Sequence, residues 1–172
     1  MMRIFDRLED TPAQVMSHLG ETLKQTRLAV ALMGDDSVYS GMARSRHYRW
    51  FTDPAARLIY PDEDHQMHDR RIAAHLHGAY TRDGEGSRAA AIVEALLDAS
   101  PAFAAIWREH PVMGPYCAPK RIRHPELGEL ELHCQTLIDP DQSQMLEVFT
   151  AVPGSESYEK LQMLPAVGER RI

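Results

Sequence analysis

The sequence is poor in several things that mark whole classes of protein. It has two cysteines, Cys117 and Cys134, too few for a disulfide framework, so free thiols in a reducing cytoplasm are the expectation. No apolar run approaches the roughly 20 residues that span a bilayer. The start, Met1-Met2-Arg3-Ile4-Phe5-Asp6, also lacks the long apolar core of a signal peptide, so no membrane partner is expected. Positive charge is scarce: Lys and Arg total 19 against 25 Asp and Glu, a formal net charge of −6. That is the wrong sign for a domain that grips a phosphate backbone by itself. Neither a Rossmann fingerprint, nor a phosphate loop, nor a Gly-x-Ser-x-Gly elbow occurs.

What is present reads as one α+β domain. The apolar fraction of 44% and charged fraction of 26% are those of a globular chain, and 172 residues suffice for one core. Residues 12–19 and 21–26 flank Gly20 as a hairpin, and Arg27 to Met33 is a short helix stopped by Gly34. Asp53-Pro54 opens a further piece, which Tyr60-Pro61 ends. Helical spacing of Ile72, Leu76 and Ala79, then of Ala89, Ile92, Val93, Leu96 and Leu97, predicts two helices. Ser100-Pro101 caps a third, whose buried face carries Phe103, Ile106 and Trp107, and His110-Pro111 stops it. From Lys120 the period changes to alternation: a strand to His124, a turn over 125–128, a strand over 129–136, a strand from Met145 to Val152, and a last helix with Tyr158, Leu161 and Leu164 inward. Pairing Leu130, Leu132 and Cys134 with Leu146, Val148 and Thr150 would make a continuous apolar floor.

Several constellations carry chemistry. His65 and His68 stand one turn apart among Asp62, Asp64 and Asp69 and could share a metal, but an acidic helix start with exposed imidazoles is the better reading, because nothing specifies a third ligand. Arg44, Arg46, His47 and Arg49, interleaved with Tyr48 and Trp50, suit a nucleic-acid patch, a clamp for an anionic ligand head group or, more often, a solvated helix face whose arginines pair with carboxylates, Asp53 being near. Cys134 alternates onto an apolar face, where a thiol is an inert small hydrophobe. These residues by themselves leave ligand binding and plain structure about even.

Four motifs in order decide between them. Tyr48-Arg49-Trp50-Phe51-Thr52-Asp53-Pro54 with Arg57, Ser100-Pro101 with Phe103, Trp107, His110 and Val112, Lys120 to Gly128 with His124-Pro125-Glu126-Leu127-Gly128, and Thr150-Ala151-Val152-Pro153-Gly154-Ser155 with Leu161 and Leu164 resemble the MmyB-like transcription regulator ligand-binding domain. The resemblance runs from about Thr11 to Gly168. It implies a PAS-like fold, an antiparallel sheet of about five strands with helices packed on one face around a ligand cavity. It also implies a cytoplasmic sensor and not an enzyme, needing no cofactor. Such a sensor is a homodimer that meets DNA only through an Xre-type helix-turn-helix domain, which this chain lacks. Long-chain fatty acids are one ligand class the family suggests. The domain division expected is 1–10 as leader or linker remnant, 11–168 as the sensor and 169–172 as a tail, from a fragment or a freestanding sensor. Candidate lining residues are Trp50, Phe51, Leu96, Phe103, Trp107, Leu132, Cys134 and Val148, with His110 and His124 as polar contacts. Where the family often has Asn before the first helix, this chain has Gln25-Thr26, so no role for that Asn is carried over. The alternatives are a dimerisation module without ligand and a metal-dependent hydrolase.

Overall fold

The computed structural model describes residues 2–112, 114, 119–141 and 143–169, with side chains to Val167; Cys117 lies outside the described residues. A single helical turn, α1 (Met2–Phe5), leads into β1 (Ala13–Ser17) and β2 (Thr22–Gln25). Then come α2 (Arg27–Met33), α3 (Arg46–Thr52), α4 (His65–Asp83), α5 (Arg88–Ala99) and α6 (Pro101–Arg108). The chain closes with β3 (Pro119–His124), β4 (Gly128–Asp139), β5 (Gln144–Thr150) and α7 (Glu156–Glu169). The five strands form one antiparallel sheet in the order β2-β1-β5-β4-β3. The first and last strands of the fold therefore meet at its centre, and the helices between β2 and β3 form a crossover.

Local chemistry explains the helix ends. Thr26 accepts from the Ala29 amide at 3.2 Å and caps α2, the capping task for which the chain has no Asn. Ser100 accepts from the Phe103 amide at 3.2 Å, and Pro101 follows at the first turn of α6. The hairpin turn needs glycine: Gly20 has φ +72, and a Cβ there would lie 2.9 Å from the His47 ring.

Two apolar clusters support the helices. Leu76 of α4, Ile92 and Leu96 of α5 and Phe103 of α6 form one, while Leu28 and Leu32 of α2 and Leu164 of α7 pack with Ile122, Leu130, Leu132, Cys134 and Phe149 of the sheet. Tyr158, expected inward on α7, is 37% exposed; Leu161 and Leu164 carry that contact.

The expected floor is corrected by the register. Cys134 stands opposite Phe149 and Gln135 opposite Val148, so Leu130, Leu132 and Cys134 share a face with Phe149, Glu147 and Met145, not with Val148 and Leu146. A one-residue shift moves a whole side-chain set to the other face. The cause lies at the N-terminus, expected to be a leader. Phe5 is buried against Ala13, Val15 and Leu146, with Leu8 and Val148 at the edge. Both faces of β5 are thus covered, and its own alternation cannot show which one meets the helices.

Candidate functional site

A cavity of about 230 Å³ lies between the sheet and α3 and α4. Its helical wall follows from spacing: His68, Arg71, Ile72 and His75 fall at three- and four-residue steps, one face of α4. Arg46, His47, Arg49 and Trp50 come from α3. The floor is Met16 of β1, Met145 and Glu147 of β5 and Lys120 of β3; Met16 stands opposite Met145, and Gln14 opposite Glu147. Met33, Ala55, Ala56, Ile59 and Tyr60 complete an apolar side.

The other side is charged. Glu147 accepts from Gln14 Nε2 at 2.8 Å and lies 3.5 Å from Lys120 Nζ, with both side chains nearly buried. Burial pushes the Glu147 carboxyl up, but Lys120, Gln14, Arg46 and Arg71 outweigh it and hold the group at about 2. Burial likewise opposes the Lys120 charge, and Glu147 more than restores it, leaving that ammonium above its ordinary range. Asp36 binds Arg49 at 2.6 Å and Arg46 at 3.2 Å, and accepts from Thr22 at 2.8 Å. Arg49 is 5% exposed and its guanidinium lies 3.8 Å from the centre of the Tyr39 ring. The expected solvated helix face is therefore corrected for Arg46 and Arg49, which point inward and pair with the Asp36 carboxylate, whereas Arg44 is exposed; Asp53 instead caps the turn after α3 through the Ala55 amide.

Three imidazoles join them. Burial, reinforced by nearby cations and, for His47, by His75, pushes His47 down to about 3 and His68 and His75 down to about 4. All three are neutral at neutral pH. His47 Nε2 is buried without a hydrogen-bond partner among the described residues. The cavity thus holds four cationic side chains, Arg46, Arg49, Arg71 and Lys120, against the carboxylates of Asp36 and Glu147.

Trp50 is the sequence-predicted residue on this wall. It is 4% exposed, donates from Nε1 to Asp69 Oδ1 at 2.6 Å, and lies under Arg57, itself ion-paired with Asp69. Phe51, Leu96, Phe103 and Trp107 come together elsewhere, in the cluster between α3, α4, α5 and α6, with Phe51 and Phe103 5.0 Å apart. Trp107 is half-buried and stacks on His77 at 3.5 Å. His110 is exposed beyond α6, 5.0 Å from the His77 ring. His124 is buried, with Nε2 donating to Ala31 O at 3.1 Å and Nδ1 accepting from the Glu126 and Leu127 amides, which ties the β3–β4 turn to α2. Leu132 and Cys134 lie under α2 and α7, and Val148 is on the opposite face. Burial raises the Cys134 thiol, so it stays protonated.

Sequence reasoning passed over Arg71, Lys120, His75 and Glu147. Their signal was phase: Glu147 alternates with Met145 and Phe149, and Lys120 with Ile122, so each is a charge on a buried face. His65 Nε2 is engaged by the carbonyls of Arg57 and Tyr60, while His68 faces the cavity. Among the described residues no three of His, Cys, Asp and Glu are placed to hold a metal ion, and no single helix is long and apolar enough to cross a membrane.

No curated protein matches the sequence. The model of the MmyB-like transcription regulator ligand binding domain family, in contrast, matches residues 1–164, and the five-stranded sheet with its helical cover is the α+β architecture that the motifs implied. The chain belongs to the MmyB-like transcription regulator ligand binding domain family.

Proposed function

We propose that this domain is a sensor for a small amphipathic acid, such as a fatty acid, held in the cavity between the sheet and α3–α4. The observation that carries this reading is the division of the lining: Met16, Met33, Ile59, Ile72 and Met145 offer an apolar bed, while cations outnumber carboxylates on the other side. Small-molecule sites are mostly apolar with a few placed polar groups, and guanidinium groups suit a carboxylate. Binding rather than catalysis is the role. In this reading the domain acts in the cytoplasm as a homodimer and meets DNA only through an Xre-type helix-turn-helix unit, a proposal that membership in a family of transcription-regulator ligand-binding domains supports. Ligand would change DNA affinity by binding one conformation better than another, as far as that difference in affinity allows.

The test is calorimetric titration of the chain with octanoate, octanol and octylamine. The acid is expected to bind most tightly and the amine least. Equal binding of acid and amine would discard the reading. Substituting Arg71→Gln or Arg46→Gln should weaken the acid more than the alcohol.

A further inference from the structure

A second cavity, of about 310 Å³, runs between α4 and the β4–β5 hairpin. His75 of α4 and Met145 of β5 line both this space and the first cavity. On its helical side Ala74, Gly78 and Ala79 make a stretch of small residues beside His75 and Arg82 of α4.

Gly78 has no structural excuse. It sits within a 19-residue helix, where glycine is the least favoured residue after proline. Its backbone is not left-handed, and a Cβ added to it would meet no atom within 4 Å. Gly78 is exposed, and neither a turn nor a close approach requires the missing side chain; what it provides is room at the mouth of this cavity. Across the space, the Gln144 side-chain carbonyl is buried without a hydrogen-bond partner among the described residues. A buried acceptor left unmade is costly, and a donor from a ligand would relieve it.

Resting on the amphipathic-acid reading above, we infer that the two cavities are the two ends of one elongated site, which takes a chain acid carrying a hydrogen-bond donor at its far end. The head group lies among Arg46, Arg71 and Lys120, the chain passes between His75 and Met145, and the distal hydroxyl reaches Gln144 beside Gly78. Met145 is suited to such a neck, because an unbranched thioether changes rotamer without moving the backbone. The volumes agree. The first cavity alone falls short of the roughly 300–1,000 Å³ of a site for a drug-sized ligand, and the two together fall within it.

The experiment titrates the whole chain and its Gly78→Leu variant with hexanoate, dodecanoate and ω-hydroxydodecanoate, after circular dichroism shows that both fold. The parent should bind the hydroxy acid more tightly than dodecanoate. Gly78→Leu should lose about tenfold or more in affinity for both long acids while hexanoate binding is unchanged. Gly78→Gln repeats the test with a polar side chain if the leucine variant folds poorly. If the parent binds the acids and both variants treat short and long chains alike, the extended site is wrong while the amphipathic-acid reading survives. If the parent binds no acid at all, that reading fails and takes the extended site with it.

Discussion

Lys120 and Glu147 meet at 3.5 Å although β4 lies between their strands. Lys120 stands opposite Leu132 and Glu147 opposite Thr136, so the ammonium passes over Cys134, the next residue inward on that face. The pair joins an edge strand to the sheet centre on the cavity floor, with Gln14 completing the Glu147 contacts from β1.

Removing one partner leaves a charge in a poorly hydrated place. Lys120→Met or Glu147→Gln alone should cost about 3 to 5 kcal/mol by urea denaturation, whereas the double variant should recover much of that loss. Additive single losses would mean that the two groups act independently.

Acid should weaken the fold through the buried imidazoles. A histidine held at about 4 in the folded state titrates near 6.5 when unfolded, so the unfolded chain binds more protons between those values and stability rises with pH across them. His68, 6% exposed, should by itself withdraw up to about 2 kcal/mol at pH 5, at roughly 1.36 kcal/mol per pH unit below 6.5. Glu147 acts the same way lower down: its contribution, present above the unfolded value of 4.5, is lost as pH falls toward about 2. Equal urea midpoints at pH 7 and pH 5 would show that these rings are hydrated.

Two glycines should respond to alanine with opposite signs. Gly20→Ala places a side chain at φ +72 and against the His47 ring, and should cost more than the roughly 1–2 kcal/mol of the left-handed backbone alone. Gly78→Ala enters open space in a helix and should stabilise by up to about 1 kcal/mol. Thermal melts of the two variants settle the signs.

The two tryptophans should differ likewise. Trp50→Ala removes a buried ring with a bonded N–H and should cost about 3 to 5 kcal/mol. Trp107→Ala, half-buried on His77, should cost less. The reverse order in equilibrium denaturation would overturn the burial assigned to α3 and α6.

Local order was legible in the residues themselves. Arg27 to Met33 and its glycine stop, the Ser100-Pro101 start, the alternating strand around Leu132 and the hairpin at Gly20 each depend on neighbours within a few positions, so backbone sterics, capping and periodicity identify them. The order of these elements with the four motifs was enough to identify the family.

The pairing and the site belong to tertiary structure. Which face of β5 meets the helices depends on Phe5 covering the other one, a contact between chain segments about 140 positions apart that no local window contains. The same holds for the cavity. Arg46 suited a clamp or a surface pair equally well, and the phase of Lys120 and Glu147 marks a buried face without saying which groups meet there; only the closing of β3 and β5 against α3 and α4 brings them with Arg71 into one poorly hydrated space. Phe51, Phe103 and Trp107 satisfied the pattern of a pocket lining equally well, yet they fill the helical core, because amphipathic phase marks what is buried and not what is left open beside it.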